Sequence, residues 1–200
     1  MIKYDLENKD YYFDKYVNSY NNERIVELRL SMDYYEEIYS EGKNNILEIG
    51  NVLGFYGYCE HECIDKFAQS DDISRGGTVD NIDALDYDYT GRNVISISTI
   101  EHIGMKDYNN PTANDGLDAI TALDKIRNES KTFFITFGPN HNKNLDEYVK
   151  GNLDDYDWHG WCRTGKNQWQ YTEQDIKVWD MKHDDPYEFA NGIILLREKS

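Results

Sequence analysis

The hydrophobic positions of the chain follow a helical pattern first and extended patterns afterwards. Residues 22–41 place apolar side chains at alternating steps of three and four, at Ile25, Leu28, Met32, Tyr35 and Tyr39. This spacing is that of one face of an α-helix, and Gly42 supplies a helix stop. We therefore predict an amphipathic helix over residues 22–41.

Short apolar runs separated by polar segments predict strands. They occupy residues 46–50, 62–67, 93–99 and 131–139, and the segment TVDNIDAL holds a further short one. Their β-branched and aromatic residues favour extended chain. A second helix is expected where Pro111, Thr112 and Asn114 provide helix-start chemistry, ahead of the apolar positions Leu117, Ile120, Leu123 and Ile126.

The alternation of strand and helix favours a parallel sheet, because parallel neighbours need crossover connections. DIKVWDMKH and ANGIILLREKS are interpreted as a terminal antiparallel pair of strands. The predicted fold is an α/β three-layer sandwich with a seven-stranded, mostly parallel sheet and a C-terminal antiparallel strand. We expect one domain over residues 1–200, with residues 1–43 as a helical extension packed on the sheet. Ligands of such sheets bind beyond the carboxyl ends of the strands.

Composition limits the partners. The 200 residues include 38 acidic and 21 basic side chains, giving a formal charge of −17. So acidic a surface repels phosphate backbones, which makes nucleic acid an unlikely main partner and leaves small molecules, glycans or proteins. No apolar run is long enough to span a membrane, so no membrane partner is expected, and oligomeric state cannot be derived from composition.

The cysteines indicate a reducing compartment. Cys59, Cys63 and Cys162 form an odd set without the spacing of a disulfide framework, and the N-terminus lacks the pattern of a leader. We expect a cytoplasmic protein. The segment CEHEC contains residue types that bind zinc, but zinc sites gather four ligands and no second pair follows at suitable spacing. A packed, reduced Cys63 is the preferred interpretation, and no metal is predicted.

The segments ILEIGNVLG, CIDKF, DNIDAL and VISISTIEHIG resemble the motifs of class I S-adenosylmethionine-dependent methyltransferases. The wording LEIGNVL is similar to a subset found near bacterial glycan genes and in phages. The family's loop reads acidic, any, Gly, any, Gly, any, Gly; Glu48, Gly50 and Gly54 match it, while Val52 occupies the middle glycine position. That glycine normally lets the backbone approach the cofactor closely. The resemblance implies a Rossmann-like methyltransferase fold with S-adenosylmethionine as cofactor.

The resemblance also implies which residues hold the cofactor. The loop of the first strand contributes Glu48, Gly50, Asn51, Val52 and Gly54. Asp65, followed by Lys66, takes the position that accepts hydrogen bonds from the ribose hydroxyls, a task that suits a carboxylate. Ile82 and Asp83 take the position that reads the adenine amino group, and Ser98 and Thr99 line the methionine chain.

These assignments have structural alternatives. Glu48 and Asp65 are equally well explained as ordinary strand-end carboxylates, since sequence does not separate functional from exposed acids. Asp83 belongs to a run with Asp80, Asp86 and Asp88, and charge runs are usually solvated faces.

Glu101 and His102 are expected to face the substrate and to serve as the catalytic residues. A neutral imidazole can take a proton from an attacking group near pH 7; the alternative is a capping or packed histidine. Trp158 and Trp161 belong to an aromatic segment that suits a substrate flap, with His141 as a further polar contact. Their alternative role is in the core, where large rings are common.

The sequence therefore predicts a methyltransferase acting on an oxygen or nitrogen of a small molecule or sugar. The alternative is a non-catalytic methyltransferase-like interaction or assembly protein, possibly viral, in which Val52 marks a loss of activity. A nicotinamide-dependent oxidoreductase ranks third, since GNVLGFYG lacks the glycine pattern of dinucleotide sites.

Overall fold

The structure, a computed structural model, describes residues 3–6, 9–12, 22–40, 45–56, 61–67, 79–107, 113–166 and 168–199. Cys59, Gly42, Pro111 and Thr112 lie outside this part of the chain. Two short strands, β1 (Lys3–Leu6) and β2 (Lys9–Tyr12), pair antiparallel and form a sheet of their own. The hydrophobic pattern did not predict this pair, because the extension was interpreted as helical.

In the part of the chain that the structure describes, a sheet of eight strands forms the centre of the fold. Its strands are β3 (Ile46–Ile49), β4 (Glu62–Ile64), β5 (Val79–Asp80), β6 (Asn93–Ile97), β7 (Thr132–Phe137), β8 (Tyr156–Gly165), β9 (Gln168–Glu173) and β10 (Gly192–Glu198). They lie in the order β5-β4-β3-β6-β7-β10-β8-β9. The first five in this order are parallel neighbours, β10 runs antiparallel between β7 and β8, and β9 pairs antiparallel with β8.

Among the described residues, four α-helices cover the two faces of this sheet. They are α1 (Arg24–Ser40), α2 (Val52–Tyr56), α3 (Leu117–Glu129) and α4 (Lys143–Gly151). Buried side chains of α1 and α2 share one apolar cluster with one face of the sheet, and those of α3 and α4 share a second cluster with the other face. The α/β three-layer arrangement is confirmed, but the sheet has eight strands, two of them antiparallel to the rest, rather than seven with one antiparallel strand.

The C-terminal third differs from the sequence prediction. Residues 176–180 form a 3₁₀ helix instead of a strand, begun by Asp175, whose carboxylate accepts a hydrogen bond of 3.0 Å from the Lys177 amide. Val178 and Trp179, adjacent in sequence, are both buried, which a half-buried strand does not allow. The antiparallel partners of β10 are instead β7 and β8.

None of the helices in the described residues combines the length and the apolar character that crossing a bilayer requires.

Candidate functional site

A cavity of about 370 Å³ opens at the carboxyl ends of β3, β4 and β6. Crossovers leave β3 in one direction along the sheet and β6 in the other, so the cavity lies at the switch point where doubly wound sheets bind ligands. Its lining combines apolar with polar residues, and the apolar surface is the larger: Arg24, Ile49, Gly50, Val52, Ile64, Asp65, Lys66, Phe67, Ile82, Asp83, Ala84, Ser98, Thr99, His102, Ile103, Gly104 and Asp118.

Gly50 makes the sharp turn after β3. Its φ is +78°, and a Cβ at this position would lie 2.2 Å from Thr99 Oγ1. Its amide donates to the Ile64 carbonyl at 2.9 Å. The turn therefore requires glycine for conformation and for space, and it brings the loops after β3 and β6 together at the cavity wall.

Glu48 is fully buried and holds the loop rather than the cavity. Its Oε1 accepts from the amides of Val52 (2.8 Å) and Leu53 (2.6 Å), and its Oε2 accepts from Gly54 (3.3 Å). His61 Nε2 lies 2.9 Å from the same Oε2. The carboxylate thus caps the first turn of α2, where the helix has unsatisfied amides. Glu48 is not among the residues that line the cavity, because its carboxylate is directed to these amides and to His61. These bonds take the place of the predicted contact between Glu48 and a ligand.

Val52 lines the cavity from the start of α2. Its backbone is not in the left-handed region, unlike that of Gly50. The residue at this position of the loop therefore needs no glycine to adopt its conformation. Asn51 and Gly54, by contrast, are absent from the lining.

Asp65 and Asp83 form an acidic wall at the ends of β4 and β5. Asp65 Oδ1 accepts from the Phe67 amide at 2.8 Å, which fixes the turn and the direction of the carboxylate. Asp83 Oδ1 accepts from the Leu85 amide at 3.1 Å, and its Oδ2 pairs with Lys66 Nζ at 2.6 Å. Apolar side chains of Ile82 and Phe67 lie on the same wall.

The buried carboxylate of Glu27 links α1 to β7 and to the loop after β6. Glu27 is fully buried and pairs with Arg24, while its Oε1 accepts from Ser98 Oγ (2.6 Å) and Thr136 Oγ1 (2.9 Å). Ser98 has a φ of 40°, which is unusual outside glycine. These bonds place the Arg24 guanidinium on the cavity.

Glu101 does not line the cavity. Its side chain is buried, and its Oε1 accepts from the Gly138 amide at 3.3 Å. Burial raises the pKa of Glu101 to about 8, against that amide bond, which lowers it. Glu101 is therefore packed beside the cavity as a largely protonated carboxyl and does not face it, and its predicted role toward a substrate stays a prediction.

His102 lies on the cavity wall, at the end of a 3₁₀ turn, Ile100–His102, that follows β6. Its Nδ1 lies 2.7 Å from Asp107 Oδ2, and His141 Nε2 lies 3.0 Å from the same oxygen. Burial lowers the pKa of His102, although the bond to Asp107 acts in the opposite direction. His141 is thus part of a His–Asp–His cluster, although it does not itself line the cavity.

The two tryptophans of the predicted flap belong to the core. Trp161 is fully buried and Trp158 is 6% exposed. Both lie on β8, where Trp158 packs against Trp179 with ring centroids 6.3 Å apart. The aromatic segment forms the hairpin of β8 and β9, so both tryptophans pack in the sheet instead of on a flap, and their predicted role toward a substrate stays a prediction.

The CEHEC segment makes no metal cluster within the residues that the structure describes. His61 bonds to Glu48, and Cys63 is buried in β4. The packed Cys63 expected from the sequence is confirmed.

Nine of the sequence-predicted residues meet at the cavity: Gly50, Val52, Asp65, Lys66, Ile82, Asp83, Ser98, Thr99 and His102. Sequence reasoning missed the other eight lining residues, which are Arg24, Ile49, Ile64, Phe67, Ala84, Ile103, Gly104 and Asp118. Gly104 is the last residue of the segment VISISTIEHIG. Its φ is +77°, and a glycine at the end of such a segment can indicate a turn of this kind. Nothing local marks Arg24, because the packing of α1 on the sheet alone brings it to the site.

Comparisons with known proteins give similar structures at low identity. No family model and no curated protein matches the chain. A solved protein of Thermoplasma acidophilum is 11% identical, covering 86% of this chain and 88% of its own, with a TM-score of 0.45. Magnesium protoporphyrin IX methyltransferase of Synechocystis with bound SAM is 13% identical, covering 96% and 87%, also with a TM-score of 0.45.

The methyltransferase domain of a bacterial Hen1 protein is 10% identical, covering 86% of this chain and 97% of its own, with a TM-score of 0.41. Two of these three structures are methyltransferases by name. At such low TM-scores the likenesses carry no argument about the function of this chain.

Proposed function

We propose that this protein binds S-adenosylmethionine in the cavity at the switch point and transfers its methyl group to an oxygen or nitrogen of a small molecule or sugar. The observation behind the proposal is the meeting of Asp65, Asp83 and the Gly50 turn around one 370 Å³ space. A carboxylate at the end of a strand suits the ribose hydroxyls. A wall with acidic and apolar side chains suits the adenine, and a closely approaching backbone turn suits the amino-acid chain.

The charge of the lining supports a cationic ligand. Three carboxylates, Asp65, Asp83 and Asp118, stand against the two cations Arg24 and Lys66, so the formal balance is 2 − 3 = −1, with His102 neutral. A sulfonium nucleoside carries a net positive charge, whereas dinucleotides carry a pyrophosphate that needs amide donors or cations. The lining therefore favours S-adenosylmethionine over a nicotinamide cofactor.

Each wall of the cavity has a proposed task. Asp65 accepts hydrogen bonds from the ribose hydroxyls, because the bond from the Phe67 amide already orients its carboxylate. Ile82 and Phe67 provide apolar surface for adenine, and Asp83 accepts from its amino group. These tasks place the nucleoside along the ends of β4 and β5.

The methionine part would lie against Gly50, Thr99 and Arg24. The absence of a side chain at Gly50 allows a close approach of backbone to ligand. The Arg24 guanidinium, held by Glu27, suits the ligand's carboxylate. When bound, the cofactor supplies an electrophilic methyl group, and its transfer leaves a neutral thioether.

The acceptor would enter on the side of His102. This chain contributes alignment and exclusion of water there, which are the main terms in a displacement of this type. We expect His102→Ala to slow methyl transfer more than it weakens cofactor binding, since His102 lies on the wall away from Asp65 and Asp83. Equal losses in both would remove His102 from an acceptor-side role.

The experiment is an isotope transfer. The purified protein is incubated with methyl-labelled S-adenosylmethionine and a small-molecule extract, and labelled products and S-adenosylhomocysteine are measured by mass spectrometry. Protein-dependent formation of both in equal amounts supports the proposal. If the cofactor binds but no extract fraction yields either product, the non-catalytic interaction protein becomes the better account.

A further inference from the structure

Three side chains with metal-ligating atoms meet beside the cavity. His102 follows β6, His141 follows β7, and Asp107 lies in the loop after His102. One ligand atom from each lies within 4.8 Å of the other two. Within the described part of the chain, no other cluster of three His, Cys, Asp or Glu side chains has this property.

Two of the three ligand-atom separations in the cluster are close to those around a metal ion, and the third is within 4.8 Å. His102 Nδ1 and His141 Nε2 lie 2.7 and 3.0 Å from Asp107 Oδ2. Ligand atoms bound at about 2.0 to 2.2 Å and at right angles to one another are separated by about 3 Å. An ion could therefore replace the two shared protons with only small side-chain movements.

We propose that His102, Asp107 and His141 bind a divalent first-row transition-metal ion. Two imidazoles and one carboxylate favour zinc, cobalt, iron or manganese over magnesium and calcium, which prefer oxygen ligands. Three protein ligands leave at least one coordination position for water or substrate. The site differs from the CEHEC segment, which contributes none of these three residues.

The surroundings favour a cation at this place. The chain's formal charge is −17, and the imidazole rings of His102 and His141 have centroids 4.4 Å apart and planes inclined at 57°. His183, which pairs with Asp184, lies 5.3 Å from the His141 ring. A cation between the imidazoles and Asp107 gives these rings a common partner.

The site has a use if the proposed methyltransferase function holds, on which this step rests. His102 lies on the cavity wall, so an open position on the ion would be within reach of an acceptor there. On such an ion a bound hydroxyl would lose its proton to water more easily, and its oxygen would then bond to the methyl carbon while the carbon–sulfur bond breaks and leaves a thioether. The expected acceptor is then a hydroxyl-bearing molecule rather than an amine.

Metal binding is tested on the whole protein after removal of metals with a chelator. Co²⁺ is titrated while its visible absorption is recorded, and Mg²⁺ serves as the contrasting ion. We expect one Co²⁺ per chain with intense bands of low-symmetry coordination, and no competition from Mg²⁺ at equal concentration. Acetohydroxamate, a small oxygen chelator, should then change the spectrum by occupying the open position.

The variants separate a built site from loose surface binding. Asp107→Asn keeps the shape and one hydrogen-bond acceptor, and His141→Ala removes a ring; each should weaken Co²⁺ binding at least about tenfold. The matched control is His159→Ala, because His159 also lies near a carboxylate, with its Nε2 3.3 Å from Asp157 Oδ1, but on β8. This control should bind Co²⁺ as the unchanged protein does.

The outcomes distinguish the two proposals. Absence of 1:1 binding, or equal affinity in all variants, overturns the metal site and leaves a hydrogen-bonded His–Asp–His cluster. Binding of Co²⁺ without a response to acetohydroxamate overturns the open position. The affinity for S-adenosylhomocysteine should be the same with and without metal, so loss of that binding in both states contradicts the proposed function and not the metal site.

Discussion

The contact between Gly50 and Thr99 shows how one residue shapes the cavity. The left-handed turn at Gly50 brings the chain so close to Thr99 that no side chain fits between them. Gly91 has nearly the same φ, +75°, but nothing within 4 Å of its missing Cβ. The two glycines therefore separate the cost of the backbone conformation from the cost of lost space.

We expect Gly91→Ala to lower the free energy of unfolding by about 1 kcal/mol, because only the positive φ is penalised. Gly50→Ala should cost about 2 kcal/mol more, since it also forces Thr99 to move. Urea unfolding of both variants measures the difference. Equal costs would show that Thr99 yields freely and that the turn is not tightly packed.

The sequence identified residues whose role depends on chain position and missed those whose role depends on packing. Asp65 and Thr99 follow strands, and the carboxyl ends of parallel strands meet at one edge. Arg24 reaches the same edge from α1, at a distance that no local pattern encodes. Glu101 follows a strand too, but its side chain turns inward to the Gly138 amide, a direction that spacing does not reveal.

At the scale of the element, α2 depends on Glu48. A helix of five residues is too short to be stable alone, and three amides at its start are bonded to one buried carboxylate. Glu48, a residue of β3, thus holds the loop that lines the cavity in place against the sheet.

Glu48→Ala should lower the free energy of unfolding by about 3 kcal/mol, because it leaves buried amides without an acceptor. Glu62→Ala is a matched control on the neighbouring strand, where the carboxylate pairs with Arg92 at a partly exposed position; it should cost less than about 1 kcal/mol. Chemical denaturation compares them. Similar costs for both would mean that the amides at the start of α2 find other partners.

Elements with one clear periodicity were predicted well. The helix expected over residues 22–41 is observed at Arg24–Ser40, and the apolar runs gave β3, β6 and β7 close to their bounds. The β8 strand was interpreted as a flap because it mixes tryptophan with polar residues. Its alternate positions Tyr156, Trp158 and Gly160 are nevertheless buried. The alternation of buried positions was therefore a better guide to a strand than the composition of the segment.

At the scale of the whole molecule, buried Glu101 links stability to pH. Burial raises the pKa of this carboxyl from 4.5 to about 8. Between these values the unfolded chain releases the proton and the folded chain keeps it. The contribution of Glu101 to stability is therefore greatest at low pH and decreases as pH rises through this window.

We expect the stability of the unchanged protein, relative to Glu101→Gln, to fall by at most about 1.4 kcal/mol per pH unit between pH 5 and 8. Unfolding in urea at several pH values measures this difference. Glu36→Gln, a change of an exposed residue on α1, should leave the curve parallel to that of the unchanged protein. A pH-independent difference for Glu101→Gln would contradict a raised pKa.

The overall architecture was predictable because strand and helix alternate, and parallel sheets require that order. The eighth strand and the place of β10 were not, because they depend on which edges remain open once the parallel strands have paired. The inference from the charge of −17 that nucleic acid is an unlikely partner stays a prediction.

The central claim is that the cavity holds S-adenosylmethionine through Asp65, and calorimetric titration with S-adenosylhomocysteine tests it most directly. We expect 1:1 binding in the micromolar range, weakened at least about tenfold by Asp65→Ala. Asp88→Ala is the matched control, because Asp88 accepts from the amide two residues on, as Asp65 does, but outside the cavity lining. No binding under several buffer conditions, or equal binding by both variants, would contradict the account.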